Sequence, residues 1–117
     1  MGYVDGYVLA VPIDKREAYL EIAATAAAVF KDAGAERIVE CWGDDVPAGA
    51  YTSFPMAVRK DDNETVVFAW IFWPSRAARQ VGMVKAMADP RMQLPPHLVP
   101  YDGTRMIHGG FEVMLDV

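Results

Sequence analysis

The side chains best suited to chemistry in this 117-residue chain are few: two histidines, one cysteine, and carboxylates set among aromatic rings. Imidazole takes up and releases protons at physiological pH, so His108, followed by Glu112, reads as a general base oriented by a carboxylate. Asp5 is the second candidate base, and Asp5 with Glu40 would bracket a proton or a metal. Tyr7, Trp42 and Trp70 offer flat walls to a planar ligand. Arg105 offers a cation to an anionic oxygen, with ion pairing as its ordinary alternative. Each also has a structural reading: a hydrogen-bonded core histidine, rings buried in an interface, carboxylates bonded to a loop. His97, in a proline-rich stretch, reads as a surface residue, and Cys41 as inert beneath helices. No CxxC, HExxH, glycine-rich phosphate loop or Gly-x-Ser-x-Gly occurs, so neither a metal nor another cofactor is expected.

These groups need a scaffold, and the composition allows one compact domain. The chain is 53% hydrophobic and 23% charged, which supports a core and excludes a disordered or collagen-like chain. No apolar run reaches the roughly 20 residues of a membrane span, and Asp5 interrupts the place where a secretion signal would turn apolar. A single cysteine fits a reducing cytoplasm. Sixteen acidic against eleven basic residues give a net charge of −5, which makes a nucleic-acid partner an unlikely expectation.

Period-two alternation marks Tyr3 to Val11 as a strand, stopped by Pro12. Asp14 and Glu17 then read as a capping box for a helix carrying Tyr19, Ile22, Ala23, Ala26, Phe30 and Ala33 at helical spacing, closed by Gly34. Ala35 to Trp42 is a second strand, Phe54 to Arg59 a short extra one, and Thr65 to Trp73 an apolar central strand. Ser75 caps a second helix with the stripe Ala77, Val81, Val84 and Ala88, ended by Asp89-Pro90. A proline-rich loop from Asp89 to Thr104 leads to a last strand, Arg105 to Asp116. Strand, helix, strand, strand, helix, strand is an α+β, ferredoxin-like order, with both helices on one side of an antiparallel sheet.

The small residues Val4, Val8, Ala10, Val39, Cys41, Val67 and Ala69 suit the face beneath the helices. The opposite face would then collect Tyr3, Tyr7, Trp42, Phe68, Trp70 and Phe72. Four such rings expose on the order of 800 Å². Covering them is worth on the order of 20 kcal/mol as an upper bound, at about 25 cal/mol per Å². A second copy packed sheet to sheet is the simplest cover; the proline-rich loop folded over the face is the alternative. Asp5, Glu40, His108 and Glu112 would share that face, which describes a small pocket between sheet and loop.

Several blocks carry a family resemblance over essentially the whole chain: Tyr3-Val4-Asp5-Gly6, Glu40-Cys41-Trp42-Gly43-Asp44-Asp45-Val46-Pro47, Ser53-Phe54-Pro55-Met56-Ala57-Val58, Met87-Ala88-Asp89-Pro90-Arg91-Met92 and Asp102-Gly103-Thr104-Arg105-Met106-Ile107. The chain resembles the bacterial YbaA-like family of uncharacterised proteins, itself similar to the dimeric α/β-barrel superfamily. The resemblance implies a homodimer of ferredoxin-like subunits. It implies no single activity, because that superfamily spans cofactor-free monooxygenases, haem-degrading enzymes, peroxidases, isomerases and ligand-binding regulators. The family pattern more often has tyrosine where this chain has His108. The leading expectation is therefore a small-molecule pocket in each subunit, with cofactor-independent monooxygenase or isomerase chemistry. A non-catalytic binding or assembly module is the alternative.

Overall fold

Alternation and helical spacing translate into four strands and two long helices in the computed structural model, which describes residues 2–117. β1 (Tyr3–Pro12) is followed by α1 (Arg16–Asp32), β2 (Arg37–Trp42), a one-turn helix α2 (Phe54–Ala57), β3 (Glu64–Trp73), α3 (Arg76–Ala88) and β4 (Ile107–Glu112). The sheet order is β2-β3-β1-β4, and every neighbouring pair is antiparallel. This is the ferredoxin-like, α+β arrangement. β3 lies inside the sheet between β1 and β2, which accounts for its apolar run. Both long helices cover one face: Val29 and Phe30 of α1 and Ala86 of α3 join Tyr3, Ile71 and Trp73 in one buried cluster.

Local chemistry sets the element ends. Gly34 takes φ +113°, a conformation that L side chains rarely adopt, and Ala35 bonds back to the Phe30 carbonyl at 2.9 Å. The Ser75 hydroxyl accepts the Ala78 N–H at 3.1 Å, and α3 stops ahead of Asp89-Pro90. The Asp14–Glu17 capping box does not form. Ile13–Lys15 makes a 3-10 turn, and α1 starts from Lys15 without a side-chain cap. The expected extra strand at Phe54–Arg59 is instead α2, capped by Ser53 with Pro55 in its first turn. Proline lacks the N–H a strand ladder needs, while a first helical turn has no use for it. Val58, just after α2, is fully buried against Val8, Ala10 and Val66. β4 starts later than expected because Gly103–Arg105 forms a 3-10 turn capped by Asp102, and it ends at Glu112 rather than Asp116.

Two face assignments are corrected. Cross-strand register pairs Tyr7 with Ala69 and Tyr3 with Trp73, so these side chains share a face. Tyr3, Asp5, Tyr7, Leu9 and Trp42 therefore lie beneath the helices with Val67 and Ala69. Val4, Val8, Val39 and Cys41 lie on the bare face with Phe68, Trp70 and Phe72. Along α3, Val81 and Val84 are exposed, while Gly82 and Ala86 are buried. The reason is Trp73: a Cβ on Gly82 would sit 2.3 Å from its ring and 2.9 Å from the Ala33 carbonyl oxygen. Only this glycine lets α3 seat on the indole.

Gly82→Ala should accordingly destabilise the fold by about 1–3 kcal/mol through overpacking. An exposed helical glycine would instead gain about 1 kcal/mol from the same change, and urea unfolding distinguishes the two. Arg105 gives a second test. Its guanidinium holds the buried Glu64 carboxyl below the ordinary value of 4.5, with both nitrogen–oxygen distances at 2.8 Å. A depressed folded value means the ion pair contributes fully above about pH 4.5 and is lost as pH falls below it. Arg105→Met should flatten the acid limb of the stability-against-pH curve.

Candidate functional site

Beneath the helices the sheet leaves a cavity of about 530 Å³. Asp5, Tyr7, Leu9 and Ile71 form its floor. Tyr19, Ala23, Ala26 and Phe30 of α1 and Arg79, Met83 and Met87 of α3 form its roof. The small side chains of Ala23 and Ala26 leave the space open. Met92, Tyr101 and Met106 close one side from the proline-rich segment, while Glu40 enters from β2 and His108 from β4. That segment therefore lies over the cavity, on the helix side, and does not cover the bare sheet face.

Two carboxylates meet this apolar space by different chemistry. Asp5, 5% exposed, accepts the Trp73 indole N–H at 2.9 Å and is clamped by Arg79, whose Nη2 donates to Oδ1 at 2.7 Å and whose Nε donates to Oδ2 at 3.0 Å. Hydrogen bonding to Asp5 raises the arginine's already high value, although burial opposes it. Removing one partner of such a buried pair costs about 3–5 kcal/mol. Glu40 has no cationic partner among the described residues. The Tyr7 hydroxyl donates to its Oε2 at 2.5 Å and the Tyr19 hydroxyl to its Oε1 at 2.7 Å. Burial first, then the Glu40 charge and hydrogen bond, push the Tyr7 phenol far above its ordinary range. Tyr19 is raised by burial and then by its bond to Glu40. Tyr101, edge-on to Tyr19 with ring centroids 5.7 Å apart, is raised by burial and the same charge.

The structure thus gathers Asp5, Tyr7, Glu40 and His108 around one cavity, between sheet and helices as well as loop. It leaves four sequence candidates outside. Trp70 lies on the bare face. Trp42 shares the helix-side face but sits at the edge, with the Arg16 guanidinium 5.4 Å over its ring. Arg105 is occupied by Glu64, Asp102 and the Arg59 carbonyl. Glu112 is exposed and lies four residues, or about 13 Å of strand, from His108, too far to orient it. His108 is instead the cross-strand neighbour of Tyr7, exposed at the cavity rim. Sequence reading missed Arg79, Tyr19 and Tyr101. Asp5 was the available signal, because a carboxylate at a core-facing position requires a donor.

Comparison with known proteins fixes the lineage. The family described as "Protein of unknown function (DUF1428)" matches residues 2–103. The chain belongs to this family. It is 55% identical over 116 residues to the uncharacterized protein YbaA of Escherichia coli K12, covering 99% of both, and equally to that of Shigella flexneri. Among solved structures, the N63A mutant of SnoaB, a cofactor-independent oxygenase from Streptomyces nogalater, superposes with TM-score 0.60 at 20% identity, over 99% of this chain and 96% of that one. An uncharacterized NIPSNAP domain protein from Burkholderia xenovorans gives TM-score 0.60 at 18% identity, over 95% and 93%. At such identities the likeness establishes the fold.

The raised phenols have a measurable consequence. Tyr7 and Tyr19 stay protonated above their ordinary value of 10, whereas an unfolded chain ionises there, so their contribution to stability is complete below about pH 10 and is lost as pH rises. Phenolate absorbance should therefore show two tyrosines ionising only as the protein unfolds. In Glu40→Gln both should ionise at lower pH than in the parent.

Proposed function

We propose that each subunit binds a small, largely apolar organic molecule in the cavity under its helices and transfers a proton from it without a metal or organic cofactor. The observation that carries this reading is Glu40: a carboxylate in an apolar cavity, fixed through both oxygens by phenols, with lone pairs left for a ligand. Glu40 accepts the proton. Arg79 lies in the same cavity beside the negative charge left on the ligand. His108, exposed at the rim and without a side-chain hydrogen bond among the described residues, exchanges the proton with solvent. Returning the proton to another carbon isomerises the ligand. Reaction with O₂ converts a methylene to a carbonyl and releases water. SnoaB, named as a cofactor-independent oxygenase, supports the second outcome through shared fold alone. Asp5, with both oxygens engaged by Arg79 and Trp73, serves as a positioning group rather than the base.

The bare sheet face supports a homodimer. Phe68, Ile107 and Phe111 are 44%, 45% and 62% exposed, and they border an apolar trough of about 650 Å³ with Trp70 and Phe72. At one end Phe54 of this chain packs edge-on against Phe68. A patch of this kind favours a second copy over water.

Two experiments test these readings. Incubation with quinol-like aromatics in air, followed by O₂ uptake and mass spectrometry, should show turnover by the parent. Glu40→Gln should bind but turn over about a hundredfold or more slowly, the size of a general-base contribution. Binding without turnover by the parent would leave a non-catalytic module, and neither binding nor turnover would remove the cavity from function. Phe111→Arg should convert a dimer to a folded monomer in sedimentation, with native circular dichroism retained.

A further inference from the structure

We infer that the ligand is an aryl oxyanion, its charged oxygen on Arg79 and its ring against a wall of methionines. This rests on the ligand-binding reading above and adds the ligand's chemical class. Four of the chain's seven methionines, Met83, Met87, Met92 and Met106, line this one cavity. Thioethers are polarizable and unbranched, so they adapt to flat rings and make favourable sulfur–aromatic contacts. The polar groups set the ligand's charge. Arg79 contributes the only guanidinium or ammonium group of the lining. Asp5 occupies its Nε and Nη2, and the Tyr3 ring lies 5.6 Å from its guanidinium carbon. Its Nη1 donates to no protein acceptor among the described residues, and no unbonded side-chain nitrogen there is sealed from solvent.

A guanidinium immobilised on one edge and open on another presents a fixed donor pair to an oxyanion at small entropic cost. Asp5 and Tyr7 stand two residues apart on one face of β1, about 7 Å along the strand. Glu40, bonded to Tyr7, therefore repels the anionic end of a ligand and directs it toward the arginine.

Three probes of similar shape decide the charge: naphthoate, methylnaphthalene and naphthylmethylammonium, titrated calorimetrically into the intact protein. Naphthoate should bind roughly tenfold or more tightly than methylnaphthalene, the worth of one charge-assisted hydrogen bond, and the ammonium should bind worst. In the charge-neutral pair Asp5→Asn with Arg79→Gln, naphthoate should lose this advantage while methylnaphthalene binding holds. Should that pair fail to fold, Arg79→Lys, which keeps the charge but loses the fork, should narrow the advantage. Equal binding of naphthoate and methylnaphthalene by the parent, or a preference for the ammonium, overturns the inference and leaves the cavity as a ligand site. Failure of all three probes overturns the ligand-binding reading together with it.

Discussion

A carboxylate buried in a protein core is expensive, and Asp5 shows how that expense shapes what packs around it. Its two oxygens require donors, which arrive from the end of β3 as the Trp73 indole and from the first turn of α3 as the Arg79 guanidinium. Those contacts fix the angular position of α3. With Arg79 turned toward the sheet, Gly82 and Ala86 follow on the same side, and the Trp73 ring fits only because residue 82 has no side chain. The opposite strand yields as well: a Cβ at Gly110 would stand 2.4 Å from the Tyr3 hydroxyl, on the ring that the guanidinium overlies. Ion pair, indole, tyrosine and two glycines form one interlocked unit. None of its members keeps its position if Asp5 becomes apolar.

The same face carries a second carboxylate, Glu40, held under a different rule. Asp5 is paired with a full positive charge and saturated with donors. Glu40 is stabilised only by phenolic hydrogen bonds, which spread its charge without cancelling it. Its low-dielectric surroundings appear in the phenols themselves, all displaced upward by burial.

Much of this was legible in the sequence, and the illegible part has one physical origin. Alternation identified β1, an uninterrupted apolar run identified β3, and helical spacing located both long helices. What alternation within a strand does not contain is the phase of one strand relative to the next. Tyr7 faces Ala69, not Trp70, because of the cross-strand register, and that register depends on contacts distant in sequence. Sorting by bulk placed Tyr3, Tyr7 and Trp42 on the bare side, although the helices above are alanine-rich where large rings must fit. The same error sent Val81 and Val84 of α3 toward the sheet. Apolar spacing favoured them, yet an arginine and a glycine made the better surface against Asp5 and Trp73. Asp5, Tyr7, Glu40 and His108 were recognisable as a polar set; the side of the sheet they occupy was not.

Glycine resolves how one thin sheet serves two purposes. Gly6 and Gly109 are cross-strand partners, and the Phe111 ring lies within 3.7 Å of the place where a Cβ on Gly6 would stand. A Cβ at either position would meet the Phe111 ring at ordinary contact distance, so the ring lies directly over the two glycines. One residue on, Gly110 faces the helices and yields its space to Tyr3. Because consecutive strand positions point to opposite faces, two adjacent glycines in β4 thin the sheet from both sides at once. The strand that bears His108 is therefore shared between the cavity and the bare aromatic face. In the proposed reading, whatever seats against that face lies one sheet's thickness from a molecule held in the cavity.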